Sequence, residues 1–89
     1  MSNSPELDEL TAAKLTLRGQ RIYLLKSQPQ PQSDEVPCAG YVHKATAAAA
    51  EAQAALDSGD LDAAGKAIET GESWVAVAEA CFELLDTLP

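Results

Sequence analysis

Residues 60–88 read DLDAAGKAIETGESWVAVAEACFELLDTL. Leu61, Ala64, Ile68, Gly71, Val75, Ala78, Phe82 and Leu85 recur there at alternating steps of three and four. That spacing predicts one continuous helix packed along a seam, running through Gly65 and Gly71 without a phase slip. Trp74, Val77, Cys81, Leu84 and Leu88 form a second apolar row beside the first. The stripe widens towards the C-terminus beyond what one neighbouring helix covers. Asp62, Glu69, Glu72, Glu79, Glu83 and Asp86 collect on an acidic face.

Moving back along the chain, Asp57, Ser58 and Gly59 break the pattern. Gly59 suits a left-handed helix end and Asp60 suits the N-cap of the next helix, so the connection forces two antiparallel helices. Residues 41–57 form the partner helix: Val42, Ala45, Ala49, Ala52 and Leu56 repeat the same steps, and the alanines favour helix and close approach. Ser58 to Gly71, with Gly59, Asp60, Ala64 and Ile68, resembles the turn and second helix of a tetratricopeptide hairpin. No second repeat follows in the sequence, so the resemblance implies a helical hairpin and no peptide binding.

Residues 27–40 change to Ser, Gln, Pro and acid, with Pro29, Pro31 and Pro37 disfavouring helix. This predicts an extended connector. Before it, Ser4, Pro5 and Glu6 read as N-cap, first-turn proline and dipole-matching acid of a helix over 5–26. Leu7, Leu10, Leu17 and Leu24 mark one side, which Leu15, Ile22 and Leu25 broaden. Lys14, Arg18 and Arg21 form a basic strip. A competing reading takes Leu15 to Leu17 and Ile22 to Leu24 as two short strands about Gly19. The expectation is an all-α, single small domain: three helices built on an antiparallel hairpin, with a proline-rich connector after the first.

At 89 residues, with 46% hydrophobic content but only 4% aromatic, the core is small and partner burial would help it. The net charge of −8 argues against direct binding to nucleic acid and to anionic membranes. Residues 1–26 hold four bases against three acids, net +1, while the remainder holds two lysines against eleven acids, net −9. The two parts are complementary within one chain or between copies.

Cys38 and Cys81 lie in a chain whose first ten residues are acidic, without an apolar leader, so a soluble cytoplasmic protein with reduced thiols is expected, the spacing leaving a lone disulfide open. Cys38, His43 and Cys81 lack metal-ligand spacing, and Cys38 with His43 lacks a third catalytic group. No phosphate-binding or dinucleotide glycine motif occurs. No enzyme activity, metal or cofactor is therefore expected.

What remains is a non-enzymatic protein–protein interaction module, an acidic helical adaptor or inhibitor that regulates a larger protein, in the manner of mobile-element or phage regulators. Alternatives are a nucleic-acid mimic that seats its acidic face in a basic groove, or a self-assembling unit. Trp74, Cys81, Phe82, Leu85 and Leu88 are the expected contact residues of a homo-oligomer.

Overall fold

The computed structural model describes residues 5–27 and 38–87. Helix α1 spans Pro5–Tyr23 and passes into a 3-10 turn, Leu24–Ser27; α2 spans Cys38–Asp57 and α3 spans Leu61–Thr87. No strand occurs among the described residues, so Leu15–Leu17 and Ile22–Leu24 are helical and the hairpin alternative is overturned. The fold is the expected all-α arrangement of three helices. The connector is shorter than expected at both ends, because Ser27 closes the 3-10 turn and Cys38 to Gly40 belong to α2. Gly40 hid that first turn in the sequence through its low helix propensity. Residues 28–37, the centre of the expected connector, lie outside the described residues, as does Leu88.

The turn between α2 and α3 is capped from both sides. Gly59 adopts φ 81°, its N–H donates to the Leu56 carbonyl at 3.0 Å, and the Asp60 N–H donates to the Ala55 carbonyl at 2.9 Å. This double bond pattern ends α2 on a left-handed glycine. Asp60 then opens α3: its Oδ1 accepts from the Ala63 N–H at 3.0 Å and its carbonyl from the Ala64 N–H at 3.0 Å. One residue closes one helix and caps the next, so α3 folds straight back along α2.

That pair is the main packing unit, and α1 lies against both members. Ala64, Ile68, Gly71, Ala78 and Phe82 of the α3 seam are buried, facing Val42, Ala45, Ala49 and Ala52 of α2. A Cβ on Gly71 would stand 2.8 Å from Ile22 Cδ1, 3.3 Å from the Ala45 carbonyl oxygen and 3.4 Å from Ala48 Cβ. All three helices meet at that point, where a methyl group would crowd the Ile22 side chain and the α2 backbone. Gly19 of α1 faces Ile68 at ordinary contact distance, with 3.4 Å from a would-be Cβ to Ile68 Cδ1. Residue numbers of facing positions rise together in α1 and α3, so α1 runs parallel to α3 and antiparallel to α2. At about 1.5 Å per residue, the 27 residues of α3 extend well beyond the 19 of α1.

Cys38, at the start of α2, is disulfide-bonded to Cys81 of α3, and both are buried. This corrects the expectation of reduced thiols. Sequence spacing could not show it, because the bond spans 43 positions and depends on the antiparallel register of α2 and α3. No described helix is long and apolar enough to cross a membrane.

Candidate interaction surface

Helix α1 is organised by two leucine-bearing stripes on opposite sides. Pro5 occupies its first position, Glu6 and Asp8 match the positive end of its dipole, and Arg21 matches the negative end. Inward, Leu15, Gly19 and Ile22 are buried, and the tighter 3-10 turn brings Leu25 in as well, at 2% exposure. Outward stand Leu10 at 56%, Leu17 at 55% and Leu24 at 61% exposure, at intervals of seven residues. At about 100° per residue, Leu17 lies roughly 160° around the axis from Leu15. The structure thus separates what the sequence groups on one side: Leu7, Leu10, Leu17 and Leu24 are exposed, whereas Leu15, Ile22 and Leu25, read as broadening that side, are buried.

Beyond the acids at its start, this helix carries charge of one sign. Residues 10–27 carry Lys14, Arg18, Arg21 and Lys26 and no acid. Lys14 and Arg21 are exposed along the edge of the outer leucine row. Arg18 turns instead to α3, where its Nε donates to Glu72 Oε2 at 3.0 Å and its Nη2 to Glu72 Oε1 at 2.6 Å. The hydrogen bond from Arg18 holds the Glu72 carboxyl below its ordinary value, and the Arg18 guanidinium is raised by the same bond. The expected basic strip therefore divides, with Arg18 fastening α1 to α3 while Lys14 and Arg21 remain on the surface.

The expected contact residues divide too. Cys81 and Phe82 are buried inside the protomer, at 7% and 8% exposure, so they are not presented to a partner. Trp74 and Leu85 are partly buried against the same core. Trp74 stacks on Tyr41 with ring centroids 5.8 Å apart and 15° between planes, and Lys44 Nζ lies 4.5 Å from its centroid. That cluster belongs to α2 and α3. Of the second apolar row, Val77 and Leu84 stay outside, at 41% and 52% exposure.

Asp62, Glu69, Glu72, Glu79, Glu83 and Asp86 are all exposed, as the acidic face requires, but Glu72 is already paired within the chain. His43 is exposed on α2, away from any cluster of metal-ligating side chains among the described residues. Leu10, Leu17 and Leu24 were not singled out as contact residues by the sequence. The available signal was their seven-residue recurrence beside a second, offset pair, Leu15 and Ile22. No family model, curated protein or solved structure matches the chain.

Proposed function

We propose that the chain is a non-enzymatic protein–protein interaction module, an acidic helical adaptor or inhibitor that regulates a larger protein by receiving one of its helices on the outer face of α1. The observation that carries this reading is the row of Leu10, Leu17 and Leu24, each more than half exposed on the side of α1 away from the core. A helix that is apolar on two opposite sides is normally covered on both. Fully burying an exposed leucine is worth about 1.5–3 kcal/mol, and each of these three, 55–61% exposed, retains a little over half of that to gain from a covering helix. Lys14 and Arg21 beside the row favour a partner helix that carries carboxylates. The Cys38–Cys81 bond supports action in an oxidising compartment rather than the reducing cytoplasm read from the sequence.

The test is site-specific photo-crosslinking in the cell of origin. A photoreactive residue at position 17 should yield an adduct with a polypeptide other than this chain, and the same residue at the exposed Ala63 should not. If positions 10, 17 and 24 gave no such adduct, or if Ala63 gave the same ones, the reading would be wrong.

A further inference from the structure

Two of the expected contact residues, Trp74 and Cys81, meet the start of α2. They are seven residues apart, so they lie within about 20° of one another on one side of α3. Cys81 is bonded to Cys38, the first residue of α2, and Trp74 stacks on Tyr41, three residues further along the same helix. Lys44 Nζ, another three residues on, lies 4.5 Å from the indole centroid. Residues 38–44 are therefore the part of α2 that covers the tryptophan.

That part begins weakly. Its first turn carries Ala39 and Gly40, both exposed, and no acid to match the helix dipole. Glycine favours helix poorly, and a Cβ on Gly40 would meet nothing within 4 Å, so no close packing requires it. Further along, Val42, Ala45, Ala48, Ala49 and Ala52 are buried, with Ala45 and Ala48 at the Gly71 crossing. Packing holds the body of α2, whereas its first turn is fastened by the disulfide.

The bond also has a chemical direction. Cys38 stands at the positive end of the α2 dipole, which favours negative charge on its sulfur as it leaves. Attack on Cys81 thus expels the better leaving group. Both residues are buried, at 2% and 7% exposure, so a reductant reaches the sulfur when the first turn frays.

We propose that the Cys38–Cys81 bond is a redox-operated clasp: a dithiol reductant releases the first turn of α2 and uncovers Trp74, and reoxidation closes it again. One thiolate of the dithiol attacks Cys81 Sγ, the bond to Cys38 breaks, and Cys38 leaves with the electron pair and takes up a proton. The second thiolate of the dithiol then attacks the mixed disulfide and releases Cys81, which is protonated in turn. Two electrons pass to the protein, and the dithiol ends as a disulfide. In an oxidising compartment the clasp is shut; a dithiol reductant opens it. The aromatic ring it frees is of a kind enriched where partners bind.

Hydrogen exchange read by mass spectrometry, with acrylamide quenching of the single tryptophan, tests this. Both are measured on the oxidised protein, on the protein reduced by dithiothreitol without denaturant, and on the Cys38→Ser, Cys81→Ser double variant. In the reduced and the serine forms, exchange over residues 38–41 should rise at least about 10-fold, while residues 48–57 and 61–71 keep their protection. The quenching constant of Trp74 should rise at least about twofold in the same two forms. Oxidised glutathione should reverse both changes in the reduced wild type and neither in the serine variant.

A bond that dithiothreitol leaves intact in the folded protein would overturn the proposal, as would unchanged exchange over residues 38–41 after reduction. Loss of protection along all three helices together would overturn it too, because the bond would then be a general staple and not a local clasp. None of these results bears on crosslinking of position 17 to a different protein.

Discussion

The helices cross at Gly71, and a single methyl group tests that crossing. Replacing glycine by alanine inside a helix gains about 0.8–1.0 kcal/mol of intrinsic stability wherever the new Cβ has room. At Gly65 it has room, since nothing lies within 4 Å, so Gly65→Ala should stabilise the protein by about 1 kcal/mol. At Gly71 the same Cβ would come 2.8 Å from Ile22 Cδ1 and 3.3 Å from the Ala45 carbonyl oxygen. Ile22 is 2% exposed and has little space to turn away, and the carbonyl moves only if α2 moves. Overpacking of this kind costs typically about 1–3 kcal/mol, which outweighs the propensity gain. Gly71→Ala should therefore be about 1 kcal/mol less stable than wild type.

The difference of about 2 kcal/mol between two alanine variants of one helix isolates packing from propensity. Urea denaturation followed by circular dichroism, at fixed protein concentration and with the disulfide intact, reads it directly. Ile22→Val sharpens the result, because it removes the δ-methyl group that the new Cβ would meet. Alone it should cost about 0.5–1.5 kcal/mol. Combined with Gly71→Ala, the total cost should fall below the sum of the two by about 1 kcal/mol. If Gly71→Ala were as stable as Gly65→Ala, or if the two substitutions simply added, α1 would not cross α3 at this residue.

Three further outcomes follow from the geometry. Reducing the disulfide, or replacing both Cys38 and Cys81 by Ser, frees a loop of 43 positions and should lower stability by up to about 4 kcal/mol, seen as a drop in the urea midpoint; an unchanged midpoint would mean the bond does not constrain the chain. Asp60→Ala removes the side-chain acceptor of the Ala63 N–H and should cost about 1 kcal/mol in the same assay. Because Glu72 is held below its ordinary value, its contribution is present above the unfolded-state value and is lost as pH falls through the folded one, so the stability gap between wild type and Glu72→Gln should close on acidification. Both partners are more than a third exposed, which limits the effect to about 0.2–1 kcal/mol.

The hairpin was legible because its signals are local. The three-and-four spacing of α3, the alanines of α2 and the Gly59–Asp60 caps each act within a few residues of themselves. The role of α1 was not legible, since its two leucine rows have nearly equal strength and periodicity does not state which one meets a neighbour. What selected Leu15, Gly19 and Ile22 was the shape of the α2–α3 surface: Gly71 leaves a gap for Ile22, and Gly19 gives way to Ile68. The disulfide was hidden for a similar reason, because it follows from helix register and not from any motif. Phe82 seemed to need a second chain because the sequence does not show how much of the distal end of α3 the protomer itself covers.

The distribution of side-chain size carries the functional argument one step further. Much of the core consists of small residues, with Ala45, Ala48, Ala49, Ala52, Ala64 and Ala78 all buried. Leu10, Leu17, Leu24 and Leu84 are meanwhile more than half exposed. Burial scales with apolar area, so a chain optimised only to fold as a monomer would place its leucines inside. Here several of the largest aliphatic groups lie on the surface, while a disulfide and well-formed helix caps reinforce a modest core. Covering those groups would gain burial that the isolated protomer forgoes. The same contact that supports function would then stabilise the fold.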